Sequence, residues 1–574
     1  MRNLLNRSYF VLFILVFGPN QNPTHLYSQI VEVVEATDRS TKAWSSFRNS
    51  GRSGVDEDVS LPIEWSFEQG IDWTVELPGY GQSCPVTTTD YVLITSVDGP
   101  KKEQNLLTCF SRDGGKIVWS LSEKNSLPGP SNYMFSRAAP TPMVDSDQAY
   151  AFYESGDLIA ANLATGKIAW KRNLADETGS LKSRHGLGSS PTQSADLLFI
   201  NLEHGGPSAL IAINKADGKT VWKTERPSGS SWSSPVLYKS GQGEQVIVSS
   251  QGAAVGFKAS TGEKIWEIGG LEGNTVPSPT IEGNKLYLGA RQSEFGSIEK
   301  SAKSNLCLNL DALDTVPSVR WRSTRCVAHY ASPVVCGDYV YLINKSGILG
   351  CLDKDTGKEL YRQRLGFECW ASPVANGEHL FIFGKNGTTV VLRAGDDFVK
   401  IAESQLWDLQ NPPTPSKYKE YFPPQSASGS HGGGGSHRGG GGHGGGGGHG
   451  ATQGGNPNSK SQKSDRSLNP PTETQQSPTS RMVQSYLKSD TNRDGKLSGD
   501  EIPERLISAM ENIDLNGDGI LERNELTKMA ETFAARRRDS KNSSRDPIVY
   551  GVAADEQGIL IRTGTRLYCI EGVD

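Results

Sequence analysis

The sequence predicts a mainly β protein: an eight-bladed β-propeller closed by strands from both ends of the chain, with a small all-helical insertion. Three observations lead to this fold class. A strand–turn–strand pattern recurs along the chain, and a short Pro-containing marker precedes each copy. One segment between the last two copies has helical rather than strand periodicity.

The repeat is clearest between Ala160 and Trp170, where a strand and a Thr-Gly turn lead into a second strand that carries a large aromatic residue. Further copies, each running from a small residue to an aromatic one, lie at 109–119, 212–222, 256–266 and 351–361, and a copy with a longer turn lies at 307–321. Repeats of roughly 40–50 residues with short strands and Gly turns are typical of propellers. A lone four-stranded sheet cannot bury both faces, so we expect each aromatic residue to dock between neighbouring blades.

The number of markers predicts the number of blades. Each marker places one or two small residues directly before a proline; these prolines are Pro85, Pro140, Pro191, Pro235, Pro279, Pro333 and Pro373. An eighth copy at 547–571 supplies three strands and then stops. Residues 71–77 have the pattern of an outer strand with no blade before it. We therefore expect this N-terminal strand to complete the C-terminal blade, which would leave no exposed sheet edge.

The remaining segments have distinct compositions. Residues 1–28 place Arg2 and Arg7 before an apolar run that is too short to span a bilayer, which predicts a signal peptide and export to the periplasm or beyond the cell. Residues 44–406 form blades 1–7 with the closing strand, and 407–480 form a disordered linker rich in Pro, Gly, His and Ser. A helical pair follows at 481–538, and 546–574 form the last blade.

Composition narrows the function. The formal net charge is −5, so we expect no nucleic-acid partner, and no apolar run is long enough for a transmembrane segment. The protein is expected to be monomeric. Four of the eight cysteines occupy the small position of the repeat and are predicted to be buried small hydrophobes: Cys109, Cys307, Cys351 and Cys569. Cys326 and Cys369 precede the inner strands of adjacent blades, and a disulfide between them is the alternative.

Two twelve-residue loops in the helical segment have oxygen ligands at the spacing that a hard cation requires. In the first loop the ligand positions are Asp490, Asn492, Asp494, Lys496, Ser498 and Glu501. In the second loop they are Asp514, Asn516, Asp518, Ile520, Glu522 and Glu525. Lys496 and Ile520 would contribute backbone carbonyls, and Glu501 and Glu525 would each contribute both carboxylate oxygens.

This segment resembles the EF-hand family. The resemblance implies calcium as the cofactor and pairing of the loops through Leu497 and Leu521. Because Glu522 gives the second loop one more carboxylate than Ser498 gives the first, we expect the second loop to bind calcium more tightly.

A second candidate site comes from aligning the blades. Five residues fall three positions before the marker proline: Gln82, Arg137, Trp232, Tyr330 and Trp370. His185 and His329 lie close to them in the sequence. Inner strands line the axis of a propeller, so these side chains are expected to ring a channel mouth suited to a planar or anionic ligand. The sequence predicts no catalytic residues.

The repeats resemble quinoprotein-type propellers with PQQ-like repeats. In the dehydrogenases of that family, the quinone stacks between a Trp and a pair of adjacent cysteines, beside a calcium ion. No two cysteines are adjacent in this chain, so the sequence favours a non-enzymatic role. We expect an exported calcium-binding propeller that acts as a binding or scaffold protein for a protein or a surface polymer. The alternatives are a quinone-dependent dehydrogenase and an envelope-assembly propeller.

Overall fold

The structure is a computed structural model that describes residues 43–129, 136–183, 186–292, 298–310, 315–413, 478–503, 506, 510–542 and 546–571. These residues form an eight-bladed β-propeller, as the sequence predicts, with few helices. Each blade is an antiparallel sheet whose first strand packs near the first strands of neighbouring blades, so the first strands line the axis. The predicted signal peptide and most of the predicted linker lie outside the described residues.

In each of the first four blades, the strands run in chain order from the axis outwards. Blade 1 contains β3 Val86–Thr87, β4 Tyr91–Asp98, β5 Gln104–Ser111 and β6 Ile117–Lys124. Blade 2 contains β7 Met143–Val144, β8 Gln148–Phe152, β9 Asp157–Asn162 and β10 Ile168–Asn173. Blade 3 contains β11 Thr192–Gln193, β12 Leu197–Leu202, β13 Ser208–Asn214 and β14 Thr220–Arg226. Blade 4 contains β15 Val236–Ser240, β16 Gly243–Ser250, β17 Ala253–Lys258 and β18 Lys264–Ile268.

The other blades follow the same order. Blade 5 contains β19 Thr280–Glu282, β20 Lys285–Leu288, β21 Leu306–Asn309 and β22 Ser318–Arg322. Blade 6 contains β23 Val334–Cys336, β24 Tyr339–Ile343, β25 Ile348–Asp353 and β26 Glu359–Arg364. Blade 7 contains β27 Val374–Asn376, β28 His379–Phe383, β29 Thr388–Arg393 and β30 Val399–Gln405, and the short strand β1 Gly54–Val55 joins β27 in parallel. Blade 8 contains β33 Val552–Asp555, β34 Gly558–Arg562 and β35 Arg566–Ile570, and its outer strand is β2 Trp73–Glu76.

The repeat residues meet across the outer strand pair of each blade. Ala160 is the register partner of Trp170, and Cys109 is the register partner of Trp119, so the small residue leaves room beside the ring. The Trp119 indole N–H donates to Leu163 O of the next blade at 2.9 Å. A Cβ on Gly166 would lie only 2.6 Å from the Trp119 ring. The predicted docking of the aromatic residue between blades is confirmed here.

The marker residues form a second link between blades. The Ser190 amide donates to Ser234 Oγ at 2.9 Å, and the Ser234 amide donates to Ser278 Oγ at 2.9 Å. The relay continues through Ser332 to Ser372, at 3.0 and 2.9 Å. These serines are buried, or half-buried at Ser372, so each hydroxyl satisfies an amide that would otherwise have no partner. The serine hydroxyl that precedes five of the seven marker prolines therefore joins consecutive blades near the axis; Cys84 and Ala139 occupy this position before Pro85 and Pro140.

Residues 44–55, the axial segment, run across the innermost strands of the ring. The Trp44 amide donates to Thr87 Oγ1 at 2.8 Å in blade 1, and the Val144 amide of blade 2 donates to Ser45 O at 2.9 Å. Farther along the segment, Ser53 Oγ accepts the Val335 amide of blade 6 at 2.8 Å. Strand β1 then pairs with β27 of blade 7.

Arg48 is the centre of the axial segment and is only 5% exposed. Its guanidinium donates to Pro279 O at 3.1 Å, to Pro333 O at 3.0 Å and to Thr280 Oγ1 at 2.6 Å. Burial lowers the pKa of Arg48 to about 9. The backbone around it is left-handed from Arg48 to Gly51, with φ between 43° and 88°, a conformation that L-residues adopt only where packing imposes it.

The helical unit follows blade 7 in the chain. Its helices are α3 Pro478–Tyr486, α4 Met510–Ile513 and α5 Arg523–Asn542, with single 3-10 turns at Leu487–Ser489 and Gly499–Glu501. Strands β31 Leu497–Ser498 and β32 Ile520–Leu521 pair antiparallel, with Leu497 opposite Leu521 as expected. Both leucines are fully buried in a small core with Leu526 and Met529. Two short helices, α1 Ala175–Thr178 and α2 Ile298–Lys303, lie in propeller loops.

The cysteines are all buried and all free. Burial raises the pKa of Cys109, Cys307, Cys351 and Cys569 to about 12, which agrees with the predicted packing role. The alternative disulfide between Cys326 and Cys369 does not form. The Cys369 thiol instead donates to Phe383 O at 3.2 Å, and the Cys326 thiol lies 3.4 Å from Glu359 Oε2.

One further residue lies outside the segment that the sequence-based boundaries assign to it. Trp407, assigned to the linker, is 6% exposed and packs against Tyr568 with ring centroids 6.1 Å apart, because it fills the gap between blades 7 and 8. No helix among the described residues is long and apolar enough to cross a membrane.

Candidate functional site

The ring mouth is the end of the propeller where the residues before the marker prolines lie. Three of the predicted residues are in mutual contact there. Tyr330 packs against Trp370 with ring centroids 4.4 Å apart, and His329 meets the Tyr330 ring edge-on at 4.7 Å. Tyr330 and Trp370 are half-buried, so their faces remain partly accessible. We call these three residues and Lys385 the mouth cluster.

Lys385 completes the mouth cluster. Its ammonium lies 4.2 Å from the centroid of the Trp370 ring, a cation–π distance, and 3.1 Å from the carboxylate of Glu368. Beside it, burial lowers the pKa of His329 to about 3, and the positive charges of Lys345 and Arg291 add to that shift. The cluster therefore presents aromatic faces and a cation, with a neutral imidazole behind them.

Two other predicted residues form a polar group in blades 1 and 2. Gln82 donates its side-chain amide to the Tyr80 hydroxyl at 3.1 Å, and its backbone amide donates to Ala138 O, next to Arg137. Lys102 is fully buried, with its ammonium 5.9 Å from the Tyr80 ring centroid. Burial lowers the pKa of Lys102 to about 7; the Glu154 carboxylate opposes this shift and the Arg137 charge adds to it.

Of the remaining two predicted residues, the structure describes one. Trp232 donates its indole N–H to Gly186 O at 3.1 Å and anchors the loop that precedes blade 3. His185 lies outside the described residues. The structure thus brings three of the seven residues into direct mutual contact, and it places Gln82 and Arg137 in a different group.

Sequence reasoning missed the charged residues of the ring mouth. Glu154, Lys345 and Lys385 occupy the same turn in three different blades, two positions before a glycine with positive φ. Aligning this turn, as well as the marker prolines, would have found all three. The signal is weak because the residue type changes from carboxylate to ammonium between blades.

The first cation loop folds around the carboxylate of Asp490. Its Oδ2 accepts the Gly495 amide at 2.9 Å, whereas its Oδ1 is buried and has no hydrogen-bond partner among the described residues. Glu501 accepts the Thr491 hydroxyl at 2.8 Å and the Ser498 amide at 3.2 Å. These bonds, that of the Thr491 hydroxyl first, lower the pKa of Glu501 to about 2 and keep the carboxylate charged.

The second cation loop has the same hydrogen-bond pattern as the first, and its carboxylates are more deeply buried. Asp514 is 8% exposed and accepts the Gly519 amide at 2.9 Å. Glu525 is 4% exposed and accepts the Leu515 amide at 2.7 Å and the Glu522 amide at 3.0 Å. The Glu522 carboxylate lies 2.8 Å from the ammonium of Lys496 in the first loop. This ion pair offsets the extra carboxylate on which the expected tighter binding of the second loop was based.

The donor set fits a hard cation. Oxygen atoms of carboxylates, amides and carbonyls are the ligands that calcium prefers, and both loops place them at the required positions. The buried, unpartnered Oδ1 of Asp490 is an acceptor that a cation would satisfy. A separate group at Asp72, Cys569 and Glu571 also brings three possible ligand atoms together, but the Cys569 sulfur already accepts from Arg112 at 2.7 Å.

Comparison with known proteins assigns the propeller. The family described as "Outer membrane protein assembly factor BamB" matches residues 63–185 and 180–363, together more than half of the chain. The chain belongs to this family. The BamB of Yersinia pestis is 21% identical over 301 residues, which cover 50% of this chain and 72% of that protein. The BamB of Shewanella oneidensis is 24% identical over 259 residues, which cover 43% of this chain and 61% of that protein.

Solved structures of low identity also align with the chain. The crystal structure of BamB from Moraxella catarrhalis is 15% identical and gives a TM-score of 0.42, covering 58% of this chain and 87% of that one. The quinohemoprotein alcohol dehydrogenase ADHIIG from Pseudomonas putida HK5 is 12% identical and gives a TM-score of 0.45. The alignment covers 64% of this chain and 72% of that one.

Proposed function

We propose that this chain is an exported scaffold protein whose propeller binds protein partners during outer membrane protein assembly, and whose helical unit binds calcium. Membership of the BamB-described family supports the assembly role, and the apolar N-terminal run after Arg2 and Arg7 supports export. We infer that β2, which completes the sheet of blade 8, closes the ring, so that the propeller offers a rigid, edge-free surface to a partner.

The occupied axis is the observation that carries the scaffold role. The axial segment contacts the innermost strands of blades 1, 2, 6 and 7, and Arg48 donates hydrogen bonds to residues at the start of blades 5 and 6. A planar cofactor on the axis would have to displace this buried arginine, and the acceptors of its hydrogen bonds would lose their partner. The chain also has no adjacent cysteines to stack on a quinone. Both features favour binding over quinone-dependent dehydrogenation.

The mouth cluster is the surface that we assign to the partner. Trp and Tyr side chains are enriched at the centres of protein interfaces, because they bury large areas and retain one polar contact. Tyr330 and Trp370 are half-buried side chains of this kind, and the ammonium of Lys385 adds a positive charge beside them. The partner segment that fits is an extended peptide with aromatic and acidic side chains.

The cation loops supply the second activity. Asp490, Asn492, Asp494, Lys496, Ser498 and Glu501 would hold one ion, and Asp514, Asn516, Asp518, Ile520, Glu522 and Glu525 would hold the other. Calcium would supply a fixed positive charge that draws these oxygens together. The protein residues define the loop backbone through the Asp490–Gly495 and Asp514–Gly519 hydrogen bonds.

Site-specific photo-crosslinking tests the scaffold role. A photo-reactive residue at position 370 is expected to form an adduct with an outer-membrane β-barrel protein or a component of its assembly, in the cells that make the protein. The same residue at Val118, exposed on the outer strand of blade 1, is the matched control and should give less of that adduct. Adducts of equal yield at both positions, or none at position 370, would contradict the proposal.

Reconstitution with pyrroloquinoline quinone tests the alternative. We expect neither stoichiometric binding nor dye-linked oxidation of alcohols or sugars, in the presence of calcium. Saturable quinone binding accompanied by turnover would favour the dehydrogenase.

A further inference from the structure

The second cation loop accepts hydrogen bonds from the propeller, and among the described residues the first loop accepts none. Arg325, in the loop before blade 6, donates from Nη1 to Asn516 O at 2.7 Å. Arg362, on β26, donates from Nη2 to Asp514 O and Leu515 O, each at 3.1 Å. Three consecutive carbonyls at the start of the second loop are therefore held by two arginines of blade 6.

Glu359 holds the two arginines in place. It accepts from Arg325 Nη2 at 2.5 Å, and its Oε1 lies 3.4 Å from Arg362 Nε. The side chains of Arg362 and Glu359 are only 7% and 14% exposed, so this ion pair is largely desolvated. Paired, partly buried guanidinium groups form stronger and more directional hydrogen bonds than exposed ones. We call Arg325, Glu359 and Arg362 the docking triad.

Gly517 makes the contact specific to the second loop. A Cβ at Gly517 would lie 1.4 Å from Arg325 Nη1, so only glycine permits this approach. The equivalent position in the first loop is Arg493, whose bulk and charge would both exclude Arg325. The carbonyls of Asp490, Thr491 and Asn492 make no hydrogen bond to the propeller in the part of the chain that the structure describes.

Two of the three docked carbonyls belong to Asp514 and Asn516, the residues whose side chains are the first two proposed cation ligands. Asp514 and Asn516 present side-chain oxygens to the ion, while their backbone oxygens accept from the docking triad. Docking therefore fixes the backbone that bears the ligands without using a ligand atom. A site whose backbone is already fixed loses less conformational entropy when the ion binds, which makes docking and binding mutually favourable.

We propose that the docking triad is a receptor on blade 6 for the second cation loop, and that calcium binding at this loop fixes the helical unit on the propeller. This inference rests on the proposed calcium binding. It assigns different roles to the two loops: the second couples to the propeller, and the first binds its ion independently. The coupling is reciprocal, so loss of docking weakens calcium binding at the second loop by the same factor by which calcium strengthens docking.

Calcium titration of the full-length protein tests the coupling. In the Arg325→Ala/Arg362→Ala variant, the affinity of the second loop should fall by about fivefold or more, a typical allosteric coupling, and that of the first loop should not change. Glu501→Gln and Glu525→Gln backgrounds distinguish the two loops. Arg393→Ala, which removes an exposed arginine from blade 7, is the control for the loss of charge and should bind as the wild type does.

Lysine variants distinguish hydrogen-bond docking from simple charge. Arg325→Lys/Arg362→Lys keeps both charges but loses the planar fork that reaches two carbonyls. We expect this variant to weaken calcium binding at the second loop as much as the alanine variant does. Affinities like those of the wild type in the lysine variant would show that charge alone acts, and this would overturn the docking role.

Spin-label distances measure docking directly and do not require the blade 6 arginines to be replaced. Labels at exposed positions Thr356 and Asp500 should give a distance distribution that narrows on calcium addition. Gly517→Ala should leave the distribution broad, whereas Gly499→Ala, also at a positive φ but with no neighbour within 4 Å, should behave as the wild type. Calcium binding without narrowing overturns this inference alone; no calcium binding at either loop overturns the proposed calcium function as well.

Discussion

His329 is a buried histidine of the ring mouth. It is 8% exposed, and its Nε2 has no hydrogen-bond partner among the described residues. Burial lowers the pKa of its imidazole to about 3, below the 6.5 of an unfolded chain. Below pH 6.5 the unfolded chain therefore takes up a proton that the folded chain does not. The stability that the neutral imidazole confers is complete above pH 6.5 and is lost as the pH falls towards 3.

Replacing His329 should reduce the amount by which the free energy of unfolding falls at acid pH. His329→Phe keeps a ring against Tyr330 but cannot titrate, so the loss of unfolding free energy between pH 7 and pH 4.5 should be smaller by roughly 2 kcal/mol than in the wild type. Guanidinium unfolding at both pH values measures this. Equal acid losses in the variant and the wild type would show that His329 does not titrate as inferred.

The ammonium of Lys496 pairs with the carboxylate of Glu522 at 2.8 Å, so we expect this lysine to weaken calcium binding at the second loop. Lys496→Met keeps the backbone carbonyl that is the proposed ligand but frees the carboxylate of Glu522. The second loop should then bind calcium about twofold to fivefold more tightly. Calorimetry in the Glu501→Gln background isolates this loop, and Lys488→Met, at an exposed lysine, is the control for charge. Unchanged or weaker binding in Lys496→Met would contradict the role given to the ion pair.

At the residue scale, the sequence predicted residues that belong to a repeated or local pattern, and it missed residues whose partners are distant in the chain. The ligand positions around Asp490 and Asp514 could be proposed because their spacing is fixed by a short local loop. Arg325 and Arg362 could not be assigned to the second loop, because 191 and 152 residues separate them from their acceptors. A salt bridge such as that of Lys496 and Glu522 likewise depends on how the two loops pair.

The turn that receives each docked aromatic residue is the element on which the blade interfaces depend. Gly115, Gly166, Gly218, Gly262 and Gly357 all have positive φ, and a Cβ on each would lie within 2.4–2.6 Å of a Trp of the preceding blade. Trp170 and Trp321 repeat the hydrogen bond of Trp119, at 2.7 and 2.9 Å. The Gly in the repeat is therefore required both by its backbone angle and by close approach.

Adding one methyl group to such a turn should destabilise the propeller. Gly166→Ala imposes a left-handed backbone on alanine and forces its Cβ against Trp119. Gly283→Ala has a similar φ of 55° but open space around the new atom. Gly283→Ala should lower the free energy of unfolding by about 1–2 kcal/mol because of the backbone conformation alone. Gly166→Ala should lower it by about 1–3 kcal/mol more because of overpacking. Equal unfolding free energies of the two variants would show that the Trp–Gly contact does not constrain the interface.

At the element scale, most blades follow from the pattern, with one informative departure. Trp266 donates to Gln245 Oε1 of its own blade at 2.6 Å, not to a carbonyl of the next one. In the sequence of blade 5, the repeat copy at 307–321 has extra residues in place of the Thr-Gly pair that would receive it. The axial segment was not predicted at all, because it has no repeat partner and bonds mainly to backbone carbonyls and amides. Only the assembled ring brings those groups together.

At the scale of the whole molecule, we expect the ring to fold without the segment between blades 7 and 8. Deleting about residues 426–540 and bridging with a short linker should leave the propeller folded, because the entropy of closing a loop varies only with the logarithm of its length. Deleting 547–574 should be far worse, since it removes β33, β34 and β35 and leaves β2 without a partner. Thermal melts and proteolysis of both proteins measure this. A stable, monomeric protein truncated after 546 would show that blade 8 is not required to close the ring.

The whole-molecule claim is that the propeller acts as a scaffold in outer membrane protein assembly. The most direct measurement is the fraction of folded outer-membrane β-barrel proteins in cells that lack this protein, read by the gel-mobility shift of folded barrels. We expect a lower folded fraction, restored by the wild-type protein and less well by a Tyr330→Ala/Trp370→Ala variant produced at the same level. An unchanged folded fraction in cells without the protein would contradict the assembly role.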